Sequence, residues 1–70
     1  MDMVQIGKRI KEIRTENGLS QEKFGALLSV SQDTVSLWEK GKSIPTAEFL
    51  IAMAVQFDVS VDYILCLKNY

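Results

Sequence analysis

The sequence predicts an all-α fold, a compact bundle of five short helices, on three observations. Apolar residues recur at steps of three and four along most of the chain. Between those stretches stand serines, each flanked by apolar residues at the spacing of a helix start. No alternation of apolar and polar residues runs beyond a few positions, so no strand is expected.

The first helix is expected over 3–16, where Met3, Ile6, Ile10 and Ile13 form an amphipathic stripe. Asn17-Gly18 ends it, because both residues tolerate the left-handed backbone that closes helices. The second, over 21–28, starts at Ser20 between Leu19 and Phe24. The third, over 32–40, starts at Ser31 between Val30 and Val35, and the fifth, over 61–67, at Ser60 between Val59 and Ile64. Each serine hydroxyl fits the N-cap, accepting from an orphan backbone N–H, and the apolar pair fits a hydrophobic staple. Thr46 after Pro45, with Leu50 at N4, is the matching cap of a fourth helix over 46–57. No capping box completes these starts, since their N3 residues are Lys23, Thr34, Phe49 and Tyr63.

Ser20 and Ser31 lie eleven residues apart, room for two helical turns and a short connection. So short a link makes the second helix cross the first steeply. Phe24, Leu27, Leu28, Val35 and Trp38 supply the apolar faces of this pair. Gly25 either admits a close approach of the second helix or is merely tolerated. The outward face of 32–40 is left polar, with Gln32, Asp33, Thr34, Ser36 and Lys40. Short amides and hydroxyls of this kind can form directional hydrogen bonds with base edges.

Composition bounds the function. The chain has 70 residues and 47% hydrophobic residues, so 1–70 is expected to be one globular domain. No run approaches the length of a membrane helix, no signal-peptide pattern is present, and Cys66 is a lone cysteine. These features point to a reducing cytoplasmic setting without a membrane partner. The net charge of −1 counts against a nucleic-acid binder. Its distribution softens the objection: seven cations face six acids in residues 1–42, and one faces three in the remainder. An enzyme is excluded. There is no histidine to partner Cys66, which falls in the apolar fifth helix, and the acids are scattered singly. No metal-ligand cluster, Gly-rich phosphate loop, cofactor motif or evident small-molecule site occurs, so no catalytic or metal residue is assigned.

The run Leu19-Ser20-Gln21-Glu22-Lys23-Phe24, then Val30-Ser31, Val35-Ser36-Leu37-Trp38-Glu39-Lys40-Gly41 and Pro45, resembles the Cro/repressor-type (Xre-like) helix-turn-helix family. The likeness continues through 50–54 and 59–65 and so covers roughly residues 6–65. Phage repressors are the best-known members. The resemblance implies a helix-turn-helix at about 20–40 whose second helix reads duplex DNA. It implies that Gln21 bonds a backbone phosphate and braces Gln32, and that Gln32 and Asp33 read bases with Ser36 and Leu37 one turn on. Lys40, Lys42 and Ser43 match the loop that meets phosphates. Arg14 and Glu39 match a buried ion pair that braces the first helix against the end of the third.

Each role has a plainer alternative. Gln32 reads adenine or is simply solvated, and Asp33 contacts cytosine or only favours the helix dipole. Leu37 touches a thymine methyl or no base, and Arg14 and Glu39 pair or stand apart as solvated charges. Ser29 replaces the glycine usual at the turn, which leaves its left-handed conformation open or mildly strained. The C-terminal part carries more apolar surface than the core needs. On 46–57, Phe49, Leu50, Met53 and Phe57 form one face while Ile51 and Val55 lie elsewhere, and Tyr63, Leu65, Cys66, Leu67 and Tyr70 follow. A homodimer through these C-terminal helices explains the excess, and plain core packing is the alternative.

The expected function is a sequence-specific DNA-binding transcription regulator, a repressor that binds a near-palindromic operator as a homodimer. The competing function is a protein-interaction module on the same fold, of antitoxin or antirepressor type.

Overall fold

The structure, a computed structural model, describes residues 2–69. Five helices follow in chain order: α1 (Met3–Glu16), α2 (Gln21–Leu28), α3 (Gln32–Glu39), α4 (Ala47–Phe57) and α5 (Val61–Ile64). Among the described residues there is no strand.

The starts of the helices follow from their caps. Ser20, Ser31 and Ser60 accept from the N–H groups of Lys23, Thr34 and Tyr63. Asp2 caps α1, its Oδ1 accepting from Val4 at 2.9 Å and Gln5 at 3.3 Å. The signal for that cap was an aspartate directly before the first apolar stripe. Thr46 occupies the N-cap of α4, but its side chain makes no capping bond, and the helix begins at Ala47.

All five helices end on a residue in the left-handed region: Gly18, Ser29, Gly41, Asp58 and Cys66, with φ of 67°, 62°, 73°, 54° and 61°. The N–H of the next residue then donates back to a carbonyl five positions earlier, at 2.9–3.2 Å in every case. This closure satisfies the last carbonyls and turns the chain sharply. Ser29 therefore adopts the left-handed conformation without glycine's freedom.

Besides the start of α4, two expected boundaries move. The third helix stops at Glu39, with Lys40 as its C-cap. The fifth stops at Ile64 instead of running to 67, because the carbonyls of Tyr63 and Asp62 accept from Cys66 at 3.1 Å and Leu67 at 2.9 Å. Cys66 is consequently not in a helix. It is exposed in the closing turn, its Sγ donating to the Gln5 carbonyl at 3.5 Å.

Side chains from every helix fill the core: Ile6, Ile10 and Ile13, then Phe24 and Leu28, Val35 and Trp38, Leu50 and Met53, and Ile64. Phe57 stacks on Phe24 at 5.1 Å between ring centroids, and Phe49 tilts against Trp38 at 5.8 Å. Most of the apparent C-terminal excess is thus absorbed by the core. Ile51 and Val55, one turn apart on α4, remain 58% and 79% exposed, and Leu67 is exposed as well. Leu27, expected among the apolar faces of the helix pair, is half exposed; Phe24 and Leu28 fill that contact instead. Tyr70 lies outside the described residues.

Candidate nucleic-acid interface

The interface is built by how closely α2 and α3 are joined. A Cβ on Gly25 would lie 2.6 Å from the Val30 carbonyl oxygen and 3.3 Å from that of Ser31. No real Cβ sits that near a backbone oxygen, so the connection between the helices folds against a bare backbone. Gly7 does the same from the other side. A Cβ there would collide with the carbonyl oxygens of Trp38 and Glu39, which lets α1 lie across the end of α3. The sequence carried no sign of this second contact beyond a glycine inside a strong helical stripe.

Val35 and Trp38 anchor the inner side of α3, at 0% and 3% exposure. The opposite side presents Gln32, Asp33, Leu37 and Lys40 exposed and Ser36 half-buried. These positions repeat every four residues, so they share one face of the helix. Asp33 stands in the first turn, where the helix dipole favours a carboxylate. Gly41 closes α3 with Lys42 N–H on the Leu37 carbonyl at 3.0 Å, which fixes the course of the following loop. Lys40 and Lys42 are exposed there, and Ser43 is half-buried. The base-facing candidates and, apart from Gln21 at the start of α2, the phosphate-facing ones are thereby brought to the outer side and trailing loop of one helix.

Behind this face sits a network of charge. Arg14 Nε donates to Glu39 Oε2 at 2.6 Å and Nη2 to Oε1 at 2.9 Å, a bidentate pair with side chains 13% and 5% exposed. Arg14 Nη1 also donates to the Leu19 carbonyl at 3.0 Å, just ahead of α2. The hydrogen bond to Glu39 raises the Arg14 pKa above its ordinary value, so the guanidinium stays charged. Gln21 Nε2 donates to Glu39 Oε1 at 3.2 Å. Among the described residues no hydrogen bond joins Gln21 to Gln32; the Gln21 amide is held by the Glu39 carboxylate instead.

Arg9, which the sequence did not single out, pins α1 to α5. Its Nη1 donates to the Tyr63 carbonyl at 2.6 Å, and its guanidinium lies 4.0 Å from the Tyr63 ring centroid. Among the described residues no cluster of ligating side chains could hold a metal ion, and no helix is long and apolar enough to cross a membrane.

A short helix joined through residues 29–31 to a second, with an outward polar face and a following basic loop, matches the helix-turn-helix class. Residues 10–64 match the family described as Helix-turn-helix, and the chain belongs to it. It is 32% identical over 62 residues to the HTH-type transcriptional activator BcrR of Enterococcus faecalis, covering 89% of this chain and 30% of that protein. It is 29% identical over 62 residues to the HTH-type transcriptional regulator ImmR of Bacillus subtilis, covering 89% and 49%. Among solved structures it is similar to the P22 c2 repressor in complex with synthetic operator 9T, with a TM-score of 0.79 and 30% identity over 84% of this chain and 89% of that one. The chain spans half or less of the length of these two curated relatives.

Proposed function

We propose that this chain is a sequence-specific DNA-binding transcription regulator, a repressor that binds a near-palindromic duplex operator as a homodimer. Residues 1–70 serve as one DNA-binding domain, acting in the cytoplasm where a bacterial or phage operator lies. The observation that carries the reading is the face of α3, where Gln32, Asp33, Ser36, Leu37 and Lys40 line up opposite a side anchored by Val35 and Trp38. A single helix with such a face fits the major groove of B-DNA. Its likeness to a repressor bound to an operator supports the same docking.

In this reading Gln32 bonds adenine bidentately, while Asp33, Ser36 and Leu37 contact neighbouring base edges. Gln21, Lys40, Lys42 and Ser43 hold the phosphates and so set the register. Arg14 and Glu39 hold the frame. One such helix reads only a few base pairs, and a two-fold dimer reads two half-sites roughly 34 Å apart. Ile51 and Val55, exposed on one side of α4, support a self-complementary contact through the C-terminal helices.

The test is selection of binding sites from a random duplex pool, followed by anisotropy titration at several salt concentrations with Gln32→Ala alongside. The expected result is an inverted repeat, with Gln32→Ala losing about 1–3 kcal/mol of discrimination at one symmetric position. No enriched site and no salt-dependent binding overturn the reading. The net charge of −1 would then favour the second reading, a protein-interaction module of antitoxin or antirepressor type using the Ile51 and Val55 surface.

A further inference from the structure

We propose that Glu39 is a positioning residue for DNA contact, acting through Gln21: its buried carboxylate dictates which way round the Gln21 amide sits. The inference rests on the DNA-binding reading above and concerns a residue that faces no DNA itself.

An ionised carboxylate only accepts hydrogen bonds. Both Glu39 oxygens already receive N–H groups of Arg14, and Oε1 also receives Gln21 Nε2. The Gln21 amide must therefore present its nitrogen to Glu39, since the reversed amide would set a carbonyl oxygen against the carboxylate. One N–H of Gln21 is held, and the geminal N–H remains as a donor for a phosphate oxygen. The side chain is ordered in advance, so this cost is not met when DNA binds. Arg14 extends the control. The same guanidinium that grips Glu39 holds the Leu19 carbonyl, so the entry to α2 and the end of α3 are tied at one point.

The sign of the electrostatics makes the idea testable. Glu39→Gln removes a negative charge, so a purely electrostatic effect strengthens DNA binding. Loss of positioning weakens it, because a carboxamide at 39 can donate as well as accept and no longer selects one orientation of Gln21.

Wild type, Gln21→Ala, Glu39→Gln and the double variant are titrated with a short mixed-sequence duplex at low salt, below the onset of each protein's thermal unfolding. Phosphate contacts are independent of sequence, so this probe suffices. Glu39→Gln is expected to weaken binding about fivefold when Gln21 is present, on the order of one hydrogen bond. In the Gln21→Ala background the same exchange is expected to leave affinity unchanged or raise it. A second readout needs no DNA: in the wild-type nitrogen–proton correlation spectrum the Gln21 side-chain amide proton held by Glu39 is displaced from its free-glutamine position and exchanges slowly with solvent, and in Glu39→Gln it loses both marks. Equal effects of Glu39→Gln in the two backgrounds, or wild-type Gln21 amide protons at free-glutamine positions and unprotected from exchange, overturn the positioning role alone. A wild-type chain that binds no duplex at any salt overturns the functional reading, and the positioning role with it.

Discussion

Replacing Gly25 by alanine separates two opposed effects whose sizes can be worked from the structure. Gly25 lies within α2, where alanine is intrinsically better by ~1 kcal/mol. Against that gain, the new Cβ starts 2.6 Å from the Val30 carbonyl oxygen and 3.3 Å from Val35 Cγ2. The turn must retreat by several tenths of an ångström, and the obstacle is backbone, which has no rotamer to change. The displaced segment also carries the bond from Val30 N–H to the Gly25 carbonyl, 2.9 Å long, which closes α2. Overpacking of this kind costs ~1–3 kcal/mol, at the upper end where backbone is struck. The net expectation is a loss of ~1–2 kcal/mol, or roughly 4–8 °C in Tm for each kcal/mol in a domain of this size. Thermal unfolding followed by far-ultraviolet circular dichroism measures it, with Ala26→Gly as the control for propensity alone, since Ala26 is exposed on the same helix. Should Gly25→Ala raise Tm by about the amount Ala26→Gly lowers it, the close approach is no constraint and the account of the helix pair fails.

Three further outcomes follow from the same structure. Arg14→Met leaves the Glu39 carboxylate, 5% exposed, without its charged partner, and urea unfolding should show a loss of ~3 kcal/mol. Ser29→Gly relieves a left-handed serine, φ 62°, so Tm should rise by the equivalent of ~0.5–1 kcal/mol; an unchanged or lower Tm refutes strain at this turn. Val55→Glu changes a side chain 79% exposed, so stability should move by no more than ~0.5 kcal/mol. Under the proposed homodimer through α4, sedimentation should report a dimer for the wild type and a shift to monomer for Val55→Glu; a monomeric wild type, or a variant that stays dimeric, refutes that contact.

Much of the fold was legible because it is written in local chemistry. Ser20, Ser31 and Ser60 cap helices through bonds that span three residues, and the staple pairs lie within five, so sequence spacing alone locates them. Asn17-Gly18 and Gly41 announce left-handed turns through their conformational freedom. Ser29, Asp58 and Cys66 make the same turn with no such signal. There the turn shows only in the backbone bond that the next residue sends five positions back, and the fifth helix stops three residues short of the expected 67. The candidate interface divides in the same way. The polar character of 32–40 is visible in the chain, but only packing decides that Val35 and Trp38 turn inward and that Gln32, Asp33 and Leu37 turn out together.

The amino-acid sequence by itself determined the number of helices, four of their starts and the polar composition of the candidate reading helix, because periodicity and capping act over a few residues. The tertiary structure alone decided three contacts. Gly7 meets the end of α3, Arg9 grips Tyr63, and Gln21 turns to Glu39 instead of Gln32. Each joins residues 18 to 54 positions apart, or two helix axes at a distance only Gly permits. No local rule carries such information, since the partner is chosen by which surfaces the whole core brings into reach.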